Sequence, residues 1–234
     1  MTTFVLVHGA CLGAWCWSRV AKLLVEKQHR IIAPALTGLG ERSHLLNSGI
    51  DLNTHILDVM NMMKWQELCD VVLVGHSYGG MVISGVAERI EQSIASIVML
   101  DALFPSDGQS AADLLPPPVR QSILKRMSDG EIAIPPPPAA TARVNNADRE
   151  WVDAQCTPHP IKCFLQPATL TGARDRIAKK TYVRAAGYPS DEFDACMSKA
   201  RAKGWHTADI ASGHLVMIDA PTQLTELLVQ LSDT

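Results

Sequence analysis

The chain lacks any long apolar run, has few aromatic residues and carries no clustered charge, and each shortage narrows what it can be. Its first ten residues, MTTFVLVHGA, hold an apolar stretch of about five residues with no cationic flank. That is too short for a secretory leader and well below the roughly 20 residues of a transmembrane helix. The expectation is a soluble, cytoplasmic protein with no membrane partner. Aromatics make up 5% of the chain, the net charge is −3, and no basic patch is interleaved with aromatics. Nucleic acid is therefore not an expected partner. The six cysteines (Cys11, Cys16, Cys69, Cys156, Cys163, Cys196) form no CxxC pair and no repeated Cys/His spacing. They read as reduced thiols rather than a zinc site, and no metal or cofactor is expected.

What is present is a core. Of 234 residues, 47% are apolar and 19% charged, enough for one large globular domain or a domain with an insertion. Short strand-like runs, apolar in FVLVHG, RIIAPAL, VVLVGHS and IASIVMLDA and more mixed in KKTYVRAA and WHTADIASG, alternate with helical patterns over residues 14–28, 51–68, 79–90 and 221–234. The helix over 51–68 is expected to open with Asn53 or Thr54 as its N-cap. In the last helix Leu224, Leu227, Leu228 and Leu231 form an i, i+3, i+4, i+7 stripe. Continuous apolar strands alternating with helices imply an α/β fold, a mostly parallel central sheet covered on both faces. Ligand sites then belong at the carboxyl ends of the strands.

Residues 105–166 break this rhythm with LLPPPVRQSILKRM and IAIPPPPAATARV. Prolines so dense exclude a central strand or a long helix. The segment is read as an inserted Pro-rich cap between two halves of the core, 1–104 and 167–234.

Gly75-His76-Ser77-Tyr78-Gly79 matches G-x-S-x-G after a strand and before a helix, where a sharp turn exposes the serine hydroxyl above the sheet. A serine needs a base. His214 follows the last strand and comes after the serine in chain order, so it is the candidate; His159 and His206 are weaker ones. His76 reads as structural, and His8 as bracing the loop beside it. For the acid, Asp101 ends the strand after the serine's own strand and helix, while Asp191 or Asp194 stays open as an alternative. An acyl oxyanion needs two N–H donors, expected from the Tyr78 amide and, in HGACLGAW, the Ala10 amide. TGLGERS lacks the third glycine of a dinucleotide loop and follows the second strand, so it is not one. Met60, Met62 and Met63 read as helix packing.

Together FVLVHGACLGAWCW, VGHSYGGMVI and the C-terminal Gly-His resemble the α/β-hydrolase superfamily, in the branch of salicylate methylesterases and hydroxynitrile lyases. TGLGERSHL is most similar to bacterial carboxylesterases of the pyrethroid hydrolase type. The resemblance implies Ser77 as nucleophile, His214 as base, and Ala10 with Tyr78 as oxyanion donors. In the plant members the acid follows the penultimate strand, where this chain has Ala185-Ala186-Gly187; other superfamily members place it one strand earlier, at the position of Asp101. Cyanohydrin-cleaving members carry threonine at the place of Gly9 and lysine at that of Leu215, which disfavours a lyase here. The expected function is a cofactor-free serine carboxylesterase acting on a small hydrophobic ester (pyrethroid-type, aryl, methyl or carbamate), as a monomer or homodimer. The competing readings are lactone or carbon–carbon bond hydrolysis, a hydroxynitrile lyase, and a non-catalytic receptor on the same scaffold.

Overall fold

Continuous apolar runs become the strands of a six-stranded sheet in a computed structural model that describes residues 1–233. The first half of the chain runs β1 (Thr3–Val7), α1 (Ser18–Glu26), β2 (Arg30–Ile32), α2 (Leu52–Trp65), β3 (Val71–His76), α3 (Gly79–Ile90) and β4 (Ile94–Leu100). The stretch between β4 and the next strand of this sheet holds α4 (Pro117–Ser128), β5 (Ala133–Ile134), α5 (Arg149–Gln155), β6 (His159–Pro160) and α6 (Ile161–Leu165). The chain then returns through α7 (Ala173–Arg176), β7 (Lys179–Ala185), α8 (Asp191–Ala202), β8 (His206–Ile210), α9 (Val216–Asp219) and α10 (Pro221–Asp233). Thr234, the last residue of the expected C-terminal helix, lies outside the described residues.

The strand order is β2-β1-β3-β4-β7-β8, every pair parallel. Successive side chains of a strand point to opposite faces, and both faces here are buried. Phe4 and Leu6 join Val72, Val74, Val98 and the helices α1 and α10 in one core. Val5 and Val7 join Leu73, Ile97, Met99 and the helices α2, α3 and α8 in the other. The continuous apolar runs follow from this two-sided burial. No described helix is long and apolar enough to cross a membrane.

Two local expectations are corrected. The N-cap of α2 is Asp51, not Asn53 or Thr54: its carboxylate accepts the Thr54 N–H at 2.9 Å, and Thr54 Oγ1 accepts the Asp51 N–H at 3.4 Å. Thr54 is thus the third-residue half of a capping box. The prolines at 116–118 do not exclude a helix either. Pro117 and Pro118 open the 12-residue α4, because the first helical turn needs no N–H donors and favours the φ that proline imposes. Residues 105–166 pack on both cores, Ile123, Ile161 and Phe164 on one and Val144 and Val152 on the other.

Candidate active site

Ser77 sits in the turn between β3 and α3 with φ +53°, a left-handed conformation unusual for a side-chain-bearing residue. The turn is held by contacts that leave no room for side chains. A Cβ on Gly75 would lie 2.7 Å from the Gly79 carbonyl oxygen, one on Gly79 2.8 Å from that of Val7, and one on Gly80 2.2 Å from that of Leu103. The Ser77 N–H donates to the Leu100 carbonyl (3.2 Å), and its own carbonyl accepts from Gly80 and Leu103 (each 3.0 Å). The strain is over-determined by its surroundings, and the serine is left partly exposed at the carboxyl edge of the sheet.

His214, in the loop after β8, reaches Ser77 and Asp101 at once. Its Nδ1 lies 2.6 Å from Asp101 Oδ2 and its Nε2 3.0 Å from Ser77 Oγ. A carboxylate only accepts, so Nδ1 carries the proton and Nε2 is left to accept the serine hydroxyl. The imidazole is stacked on Phe193 at 4.9 Å and lies 4.9 Å from Tyr188 and 4.6 Å from His76. Its backbone is pinned as well. The N–H donates to the Ala142 carbonyl of the inserted segment, and the carbonyl accepts from His76 Nε2, both at 2.9 Å. Burial, then the nearby His214, pushes the His76 pKa well down, so His76 stays neutral beside the ring it supports.

Asp101 is fully buried just past β4. Its second oxygen accepts from Arg184 Nη1 (2.7 Å) and the Ala185 N–H (3.1 Å). Arg184 spends its other donors on Asp194 and on the Ala185, Tyr188 and Ser190 carbonyls. Burial opposes the guanidinium charge, but Asp101 and Asp194 outweigh it and raise its pKa. Asp191 and Asp194 lie exposed in the first turn of α8. Geometry therefore brings Asp101, not either alternative, to His214. Arg184 is absent from the sequence reading, although a charged residue in a strand buried on both faces is a signal that could have found it.

The loop after β1 lies against Ser77: a Cβ on Gly9 would fall 2.8 Å from Ser77 Cβ. His8 Nδ1 donates to the Gly9 carbonyl (2.9 Å), and its Nε2 accepts the Leu36 N–H (3.3 Å). The Gly9 carbonyl shares a peptide plane with the Ala10 N–H, so the imidazole orients that donor. Tyr78 follows the serine at the start of α3, and its side chain is buried. His55 Nε2 donates to the Thr37 carbonyl (2.9 Å), which leaves Nδ1 to accept the Tyr78 hydroxyl (3.1 Å). The TGLGERS stretch is tied down beside them: Thr37 donates twice to Asp58, and Arg42 pairs with the same carboxylate.

The other histidines fall elsewhere. His206 is exposed at the start of β8, at the opposite edge of the sheet from Ser77. His159 is buried against Tyr78, away from any role as a base on Ser77 Oγ, which His214 occupies. His55, His159 and Cys163 are the described residues that come within reach of a shared metal ion, their donor atoms lying within 4.8 Å of one another. Hydrogen bonds already use the lone pairs such an ion would need, on His55 Nδ1 from Tyr78 and on His159 Nδ1 from the Cys11 N–H. Burial also pushes the Cys163 thiol far above its ordinary pKa, against the thiolate a metal requires.

A family model described as the Alpha/beta hydrolase family matches residues 4–227. The chain is 38% identical over 241 residues to a carbendazim hydrolyzing esterase of Nocardioides sp. (strain SG-4G), covering 99% of this chain and 100% of that protein. It is 26% identical to Methylesterase 10 of Arabidopsis thaliana, over 98% of this chain and 91% of that one. Among solved structures, an extracellular alpha/beta-hydrolase from a Paenibacillus species superposes with a TM-score of 0.87 at 25% identity, over 99% of both chains. That protein is described as sharing structural and functional homology with tobacco salicylic acid binding protein 2. A pyrethroid hydrolase from Sphingobium faniae JZ-2 shares the fold, with a TM-score of 0.74 at 20% identity over 100% of this chain and 98% of that one.

Proposed function

The chain belongs to the alpha/beta hydrolase family, and on that premise we propose that it is a serine carboxylesterase. Ser77 is the nucleophile, His214 the base and Asp101 the acid. The observation that carries the reading is one imidazole lying 3.0 Å from a serine hydroxyl and 2.6 Å from a buried carboxylate. The esterase names of the 38% and 26% identical relatives support it.

In this mechanism Ser77 Oγ attacks the ester carbonyl as His214 Nε2 takes its proton. Asp101 stabilises the imidazolium through Nδ1–H, and the Ala10 and Tyr78 amides donate to the oxyanion. The tetrahedral adduct collapses as His214 protonates the departing alkoxide, leaving an acyl-serine. Water, deprotonated by His214, then attacks the acyl carbon and releases the acid with Ser77 restored. The substrate class is a small hydrophobic ester, aryl, methyl or pyrethroid-type. A carbamate belongs with them because its carbonyl meets the same machinery. Ester hydrolysis is favoured over cyanohydrin cleavage because Leu215 is a buried apolar residue and Gly9 has no space for a side chain beside Ser77. The residues from 105 to 166 act as a cap over the strand ends. A cytoplasmic setting is part of the same reading.

A panel of p-nitrophenyl esters of increasing acyl length tests the reading. Turnover with at least one ester, abolished in Ser77→Ala, is the expected result. No turnover across the panel, or equal activity in the variant, would sink it.

A further inference from the structure

The two peptides that flank Cys11, Ala10–Cys11 and Cys11–Leu12, are each held from the inserted segment. The Cys11 N–H donates to His159 Nδ1 at 3.3 Å, and the Cys11 carbonyl accepts the Thr157 N–H at 2.9 Å. Between these bonds Cys11 has φ +62°. A side-chain-bearing residue enters that region only against a steric penalty and stays there only if its surroundings impose it. Thr157 Oγ1 also accepts the Gly40 N–H (3.1 Å), so the same short stretch joins the loop after β1 to the TGLGERS loop.

Among the described residues the His159 side chain has one hydrogen-bond partner, the Cys11 N–H. A backbone N–H can only donate, so Nδ1 carries no proton and the ring is neutral with its hydrogen on Nε2. That Nε2 is buried with no hydrogen-bond partner among the described residues, and the ring is packed 4.7 Å from Tyr78 and 4.8 Å from Phe164. A leucine would fill such a place without the cost of burying an unmet donor. What the imidazole adds over an apolar side chain is its acceptor on Cys11. His8 holds the Gly9–Ala10 peptide plane from one side, and His159 holds the next plane, Ala10–Cys11, from the other.

We propose that His159 is a positioning residue for the oxyanion hole, acting through the Cys11 N–H to aim the Ala10 amide. Through it the inserted segment takes part in stabilising the transition state as well as in covering the substrate. The inference rests on the esterase reading above.

The test compares wild type, His159→Leu and His159→Asn, all checked for folding by thermal melting. The readouts are kcat and KM for p-nitrophenyl acetate and the inhibition constant of phenylboronic acid, which forms a tetrahedral adduct on a nucleophilic serine. His159→Leu should lose about 10–100-fold in kcat, as expected for a misaimed oxyanion donor. KM should change little, and boronate affinity should fall in parallel with kcat. His159→Asn, whose Oδ1 can replace Nδ1 as acceptor, should recover most of both. An unimpaired His159→Leu, a change in KM alone, or an asparagine variant no better than leucine would overturn the inference while leaving the esterase reading intact. If His159→Leu does not fold, His159→Asn is compared with His159→Gln, whose oxygen falls toward the Nε2 end; equal rates overturn the inference. A wild-type protein that turns over no ester overturns both.

Discussion

Arg184 Nη1 lies 2.7 Å from Asp101 Oδ1, with the Asp101 side chain wholly buried and that of Arg184 5% exposed. The pair leaves Oδ2 of the carboxylate free to face His214. Removing one member of a buried ion pair strands the other charge, at about 3–5 kcal/mol. Arg184→Met should therefore lower both the melting temperature and kcat, measured by thermal denaturation and ester hydrolysis. A variant matching wild type in both would show that the pair does not hold the acid in place.

Asp101→Asn should lose roughly 10⁴-fold in kcat at matched folding, because an amide cannot hold the imidazole in the required tautomer or stabilise its cation. Asp191→Asn and Asp194→Asn should stay near wild-type rates, since both lie exposed on α8. Steady-state kinetics of the three variants checks this, and a larger loss at Asp191 or Asp194 would move the acid there.

The sheet is legible in the sequence because its central strands β1, β3 and β4 are buried on both faces and so read as apolar runs. The serine turn is legible because only glycines fit where β3, α3 and the loop after β1 approach at backbone distance. Asp101 is legible as a strand-end carboxylate, but Asp191 and Asp194 stay open beside it, since Asp101 lies 113 residues from His214 in sequence and no local pattern records that closure. Arg184 and His55 are missed for the same reason, since each meets its partner on a distant element, and His159 is read only as a weaker candidate base because its contact with the Cys11 N–H spans 148 residues. The cap of α2 goes astray because Thr54 is a good capping residue that here serves as the third residue of a box opened by Asp51.

Gly80→Ala would place a Cβ 2.2 Å from the Leu103 carbonyl oxygen, a backbone atom that cannot swing aside. Overpacking of this kind costs about 1–3 kcal/mol or more. The melting temperature should fall by several degrees and activity with it, because the displaced backbone adjoins Ser77. A melting curve unchanged from wild type would contradict the close packing of the turn.

Acid should destabilise the fold through its buried histidines. Burial lowers the His8 pKa from 6.5 to about 4, and His55, His76 and His159 are shifted in the same direction by burial. Between about pH 6.5 and 4 the unfolded chain binds a proton at position 8 that the folded chain refuses, so stability is lost as pH falls through that window. For His8 alone the loss is on the order of 3 kcal/mol. Urea denaturation at a series of pH values should show stability rising steeply from pH 4 to 6.5; a flat profile would mean that these histidines are protonated in the fold.

The most direct test of the account is covalent labelling of Ser77. A fluorophosphonate should add once to the wild-type protein with loss of fluoride, tryptic mass spectrometry should locate the adduct on Ser77, and Ser77→Ala should remain unlabelled. A label on another residue, or a wild-type protein that hydrolyses esters at full rate after saturating treatment, would contradict Ser77 as the nucleophile.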